Sequence, residues 1–214
     1  MPVFTLYLLF VMNQNADKLI SVYAEQNPNP ESMKFVVNVA LLPEGASVDY
    51  PNQAAAKAAP FALELFKLGY VSRVFIANNF VTVTKNTTDR TWSELIPQIR
   101  TVVKNFLESE QPLFTENPLE VEEKIAPSVP ENQSAEDIEI SQKVVELLEN
   151  YVRPAVEQDG GNITFRSYNE GVVTVLLQGS CSGCPSSTIT LKSGIENLLK
   201  RMLPQVKEVV AEAA

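Results

Sequence analysis

Residues 163–187 read ITFRSYNEGVVTVLLQGSCSGCPSS. ITFRS and VVTVLLQ are rich in β-branched and apolar residues, and Asn169-Glu170-Gly171 between them is turn chemistry, so the stretch opens as a β-hairpin. The second strand is expected to end at Gln178. Pro185 suits the first position of a helix, where its missing N–H would have had no partner. Cys181 and Cys184 therefore fall in the loop that opens a helix, with Gly179 and Gly183 letting the backbone turn tightly around whatever the sulfurs hold. Free amides and the positive end of the helix dipole favour thiolates at such a place.

Working outward, Leu191, Ile195, Leu198 and Met202 recur at helical spacing until Pro204, and VKEVVAE reads as a short last strand. Upstream, Ser134 and Asp137 are a capping pair, and Val144, Leu147, Leu148 and Tyr151 form one stripe of a helix expected to stop before Pro154. Asp159-Gly160-Gly161 is read as a tight turn that launches the hairpin and brings backbone near the cysteine loop. The order is α-β-β-α-β.

Residues 111–135, QPLFTENPLEVEEKIAPSVPENQSA, hold four prolines and five glutamates with no apolar period, which is linker chemistry. As a flexible coil such a segment spans roughly 25 to 30 Å. Before it, LISVYAEQ and MKFVVNVAL read as strands separated by NPNPES. Ala58, Ala62, Leu65 and Phe66 then share a helical face, with Pro60 in the first turn and Gly69 as the stop. VSRVFIANNFVTVTK is a second hairpin, in which Asn78-Asn79 is expected to take the positive φ of a tight turn. Thr91 and Glu94 cap a helix carrying Leu95, Ile99, Val102 and Phe106, which Pro97 should kink or delay.

The expectation is an α+β protein of two small two-layer α/β domains, N-terminal β-β-α-β-β-α and C-terminal α-β-β-α-β, joined by a flexible, acidic, Pro-rich linker. The boundaries read 1–18 tail, 19–110 first domain, 111–135 linker and 136–214 second domain. PVFTLYLLFV, near the start, is far shorter than the ~20 residues that span a bilayer. It lacks the basic head and the cleavage residues of a secretory signal. It is expected to be an edge strand or a tail, with Met12 as an alternative start.

A net charge of -9 over 214 residues repels phosphate, so neither nucleic acid nor a membrane is expected as a partner. Cys181 and Cys184 are the only cysteines, and there is no histidine. Two thiols three apart are no disulfide framework, which favours a reducing compartment, the cytoplasm. A redox dithiol needs one CxxC, although Ser180 and Ser182-Gly183 depart from the thioredoxin pattern. A zinc or iron–sulfur site needs four ligands, so two chains would each contribute two, and a dimer follows with the metal on its axis. Spacing alone leaves the redox and metal readings level.

VRPAVEQDGGNITFRS followed by GVVTVLLQGSCSGCPSSTITLKSGIENLLKRMLPQV closely resembles the C-terminal domain of the NifU-like (Nfu) iron–sulfur scaffold proteins, over residues 137 to 212. YAEQNPNPESMKF, DYPNQAAAKAAPFALELF and VFIANNFVTVTK resemble the separate Nfu N-terminal domain. The resemblance implies a carrier rather than an enzyme. Such a carrier would hold a [4Fe-4S] cluster, or a [2Fe-2S] form, between two chains on Cys181 and Cys184. It would receive the cluster from upstream assembly proteins and pass it to apo iron–sulfur client proteins, as a cluster-dependent homodimer. A CxxC dithiol oxidoreductase is the alternative, and a zinc-bridged dimer the third option. Lys192, Lys200 and Arg201 read as a solvated helix face.

Overall fold

The computed structural model describes residues 19–86, 89–109, 111–119, 134–182 and 185–213, with the backbone alone at 185–188. The expected tail 1–18, the stretch 120–133 of the expected linker, and Cys184 lie outside the described residues. The chain divides into two compact units, Met1–Glu122 and Glu123–Ala214.

The first unit has a five-stranded antiparallel sheet in the order β1-β2-β5-β4-β3. Its strands are β1 (Val22–Gln26), β2 (Ser32–Val37), β3 (Ser47–Tyr50), β4 (Val71–Ala77) and β5 (Phe80–Lys85). Two helices, α1 (Pro60–Phe66) and α2 (Trp92–Glu108), complete it. Alternation along the strands sends Phe35, Val74, Ile76, Val81 and Val83 into one core with Phe61, Leu65, Leu95, Ile99 and Val103 of the helices. Val36, Phe75, Ala77 and Phe80, on the opposite parity, form a second small cluster. Both caps of this unit appear as the residues require. Pro60 is at the helix start, Gly69 has φ +74°, and the Thr91 amide donates to Glu94 Oε2 at 3.0 Å.

Four expectations in this unit are corrected. The strand β3 was not anticipated, because SVDY is short and only half apolar; an ion pair from Arg73 Nε to Asp49 Oδ1 at 2.8 Å ties it to β4. Asn78 and Asn79 do form a two-residue connection, yet neither has positive φ. Their carbonyls instead accept from the amides of Val37, Leu41 and Leu42, so contacts to the 37–42 segment select the turn. Pro97 neither delays nor breaks α2, which starts directly after Thr91 and runs for 17 residues. The ring's conflict falls on the carbonyl of residue 93, still in the first turn, where the backbone has room to adjust. Residues 111–119 are not linker, since Phe114 is buried in the core and the Thr115 amide donates to the Ala58 carbonyl at 2.8 Å.

The second unit begins with α3 (Ala135–Leu147), whose Ser134 and Asp137 exchange cap bonds of 3.1 and 3.2 Å. The helix does not stop before Pro154. It passes through a π turn, Leu148–Val152, into α4 (Arg153–Gln158), with Pro154 near the start of the new segment. The wider turn accommodates the missing proline N–H and advances the inward register to steps of four, Val144, Leu148, Val152 and Val156. Tyr151, expected in the stripe, is therefore 64% exposed.

The hairpin follows as β6 (Gly161–Asn169) and β7 (Val172–Gly179), joined by Glu170 at φ 49° and Gly171 at φ 94°. Both signs suit a mirror-image two-residue turn. After α5 (Pro185–Met202), β8 (Glu208–Ala213) returns parallel to β7, giving the order β6-β7-β8. A parallel return needs such a crossover helix. Ile195, Leu199 and Leu203 face the core, while Leu191 and Leu198 are half-buried and Met202 is exposed, so the stripe sits one residue from its expected place. No described helix is long and apolar enough to cross a membrane.

Candidate functional site

Cys181 lies just past the end of β7 and is buried, with 6% of its surface exposed. Gly179, at φ 65°, turns the chain out of the strand, and the Ser182 amide closes the turn on the Gly179 carbonyl at 3.1 Å. Only a residue without a Cβ takes that backbone freely. The cysteine loop then leans on the segment that precedes the hairpin. Asp159 and Gly160 end α4 with amide bonds to the Ala155 and Glu157 carbonyls, and Gly160 reverses the chain at φ 79°.

Two bonds join these segments. The Ser180 amide donates to the Gly160 carbonyl at 3.2 Å, and the Ser180 hydroxyl donates to the Asp159 carbonyl. Gly161, paired with Gly179 across the hairpin, brings backbone hard against the loop. A Cβ at Gly161 would stand 2.6 Å from the Gln178 carbonyl oxygen, 3.0 Å from Cys181 Sγ and 3.3 Å from the Cys181 amide nitrogen. The first distance is shorter than any real contact, so the space beside the sulfur exists because position 161 has no side chain. Asp159-Gly160-Gly161 thus launches the hairpin and also forms one wall of the Cys181 site.

The surroundings are polar although they are buried. Asn162 and Gln178, cross-strand partners, lose nearly all contact with water, and Asn162 Nδ2 donates to Gln178 Oε1 at 3.3 Å. Ser180 and Ser182 are buried on either side of the cysteine, and Ser180 Oγ lies 3.8 Å from Cys181 Sγ. Burying such groups costs free energy unless they are bonded, which makes their concentration here informative. Sequence reading missed Asn162, Gln178 and Ser180. The available signal was a polar residue on each strand at the hairpin's open end, on the parity opposite to the core residues Ile163 and Leu177.

Of the two expected ligands, the structure places Cys181; Cys184 lies outside the described residues. Among the described residues no three Cys, Asp or Glu side chains gather as a metal site. Lys192, Lys200 and Arg201 lie on a solvated face as expected, where Lys192 pairs with Glu208 at 3.8 Å and Lys200 with Glu196 at 2.5 Å. The Lys200 hydrogen bond, then one from the Val209 amide, holds the Glu196 carboxyl below the usual carboxylate range.

Comparison with known proteins bears on both units. Residues 144–210 match the model of the NifU-like domain, and residues 22–110 match that of the N-terminal domain of the scaffold protein Nfu/NifU. Over 188 residues the chain is 39% identical to the human protein named NFU1 iron-sulfur cluster scaffold homolog, mitochondrial, a match that takes in 88% of this chain and 70% of that one. The protein of the same name from Drosophila willistoni is 35% identical over 202 residues, 94% of this chain and 66% of its own. Among solved structures, protein SAV1430 from Staphylococcus aureus aligns over 38% of this chain and 96% of its own, at 21% identity and a TM-score of 0.33.

Proposed function

This chain belongs to the Nfu family of iron–sulfur cluster scaffold proteins, and from that premise we propose that two copies of it hold one [4Fe-4S] cluster between them and hand it to apo-proteins. Cys181 and Cys184 are the ligands in this reading, two from each chain, which meets the need for four thiolates. The observation that carries it is the setting of Cys181, whose loop is bonded to the Asp159–Gly160 turn and whose sulfur faces a wall kept clear by Gly161. With two cysteines and no histidine in the sequence, one chain cannot complete the set.

The chain carries its cargo and does not turn it over. Transfer proceeds by ligand exchange: a client thiolate bonds to an iron as one cysteine of the carrier leaves. The departing sulfur takes up the proton that the client thiol gave up, and no electrons change hands. A site with only two ligands per chain suits such stepwise exchange. Since the cluster supplies much of the association energy, the dimer should dissociate when the cargo leaves. Upstream assembly proteins load the carrier and apo iron–sulfur proteins unload it, with neither nucleic acid nor membrane among the partners. The relatives' name assigns them to mitochondria; for this chain, thiolate ligands would need a reducing compartment, for which we retain the cytoplasm.

The test is transfer. Chain loaded without oxygen is mixed with the apo form of a four-iron enzyme in the presence of a chelator that traps free iron. Activity should return faster and more completely than with equal free iron and sulfide. Recovery no better than that of free ions would contradict the reading. Recovery of a two-iron enzyme alone would assign the cargo as [2Fe-2S].

A further inference from the structure

We propose that Ser180 is a positioning residue for the cargo, whose hydroxyl fixes the cysteine loop through the Asp159 carbonyl and turns to the Cys181 sulfur once that sulfur holds iron. The inference rests on Cys181 being a cluster ligand. Ser180 is 2% exposed, and its hydroxyl oxygen lies within reach of the Asp159 carbonyl and of Cys181 Sγ, the latter at 3.8 Å. A hydroxyl has one proton to give and two lone pairs that accept. In the metal-free chain it donates to Asp159, and the thiol lies within donating distance of the serine oxygen.

Once the sulfur is bound to iron it has no proton and becomes an acceptor. The Ser180 hydroxyl can then swing its proton from the carbonyl to the sulfur without moving its oxygen. Asp159 ends α4 and Ser180 follows β7, so the swing would couple cargo binding to the bond that ties the loop to the helix end. Hydrogen bonds to ligand sulfurs are among the factors that set cluster potentials, and partners behind a ligand commonly change metal affinity by about 10 to 100-fold. Gly161 brings no side chain of its own to the sulfur, whereas Ser180 brings a hydroxyl.

The experiment compares full-length wild type, Ser180→Ala and Ser180→Thr, each loaded without oxygen. Ser180→Ala should fold and take up iron and sulfide, but with a more negative reduction potential and iron loss to a chelator about 10-fold faster. Ser180→Thr, which keeps the hydroxyl, should restore both. Wild-type potential and loss rate in folded Ser180→Ala, or a Ser180→Thr chain that behaves as the alanine variant does, would overturn the proposal. If Ser180→Ala does not fold, the loaded wild type is read alone through its iron–sulfur stretching bands in water and heavy water; no isotope shift overturns it. A wild type that binds no iron would overturn the ligand assignment and this inference together.

Discussion

In the first unit the buried polar residues, Asn29, Ser32, Lys34, Ser47 and Thr82, are spread over a turn and three strands. In the second, Asn162, Gln178, Ser180 and Ser182 all sit at the open end of one hairpin and in the loop that carries Cys181. The first set serves local structure: Ser32 Oγ bonds Asn27 at 2.9 Å, and Asn29 Oδ1 accepts from the Glu31 amide at 3.0 Å. The second set surrounds Cys181, the ligand proposed above. Burial of polar groups costs free energy, so a unit that concentrates that cost at one point marks where its chemistry lies. The first unit, with its wider apolar core, has the marks of a folded module without a reactive centre among its described residues.

The largest expected effect on this contrast is that of Cys181→Ser. Iron and sulfide bound per chain should fall to near zero while both units keep their circular dichroism. Loading at the wild-type level would break the contrast outright. Ile99→Ala attacks the other side. Removing a fully buried side chain from the first core should cost about 2–5 kcal/mol, lowering that unit's melting transition while cluster loading stays unchanged. Loss of loading in step with melting would mean that the units do not divide the labour.

Gly161→Ala is expected to be milder in energy, about 1–3 kcal/mol of overpacking, yet sharper in location. The added methyl would meet the Gln178 carbonyl and the Cys181 sulfur, so the second unit should soften and its cluster should leave faster, with the first unit's transition unmoved. A variant as stable and as retentive as wild type would show that the wall beside the sulfur can yield.

The smallest effect is electrostatic. Glu196 titrates below the ordinary carboxylate range in the folded chain, chiefly through the Lys200 bond and then the Val209 amide. A depressed acid stabilises the folded form above its unfolded value. That contribution is lost as pH falls through the lowered folded value, so it disappears only in acid. Acid titration of the second unit's melting should therefore be flatter in Glu196→Gln than in wild type. Identical profiles would remove Glu196 from the link between α5 and β8.

Much of this was legible in the residues. The hairpin around Glu170-Gly171, the Thr91 and Ser134 caps, the proline that opens α5 and the cysteine loop before it all follow from local chemistry. What escaped depends on distant partners. The Ser180 hydroxyl bonds a carbonyl 21 residues away, and the turn at Asn78-Asn79 is selected by amides of the 37–42 segment rather than by its own preferences. The π turn around Leu148–Val152 escaped for another reason, since a proline inside a helical stripe signals a stop unless the core on both sides repays continuation.

The most direct test of the shared-cluster reading is the iron, acid-labile sulfide and zinc content per chain, with native mass, of protein loaded without oxygen. The reading predicts about two irons and two sulfides per chain in a dimer that reverts to monomer on chelation. Half a zinc per chain in a dimer, or a metal-free monomer that cycles with a disulfide reductant, would contradict it.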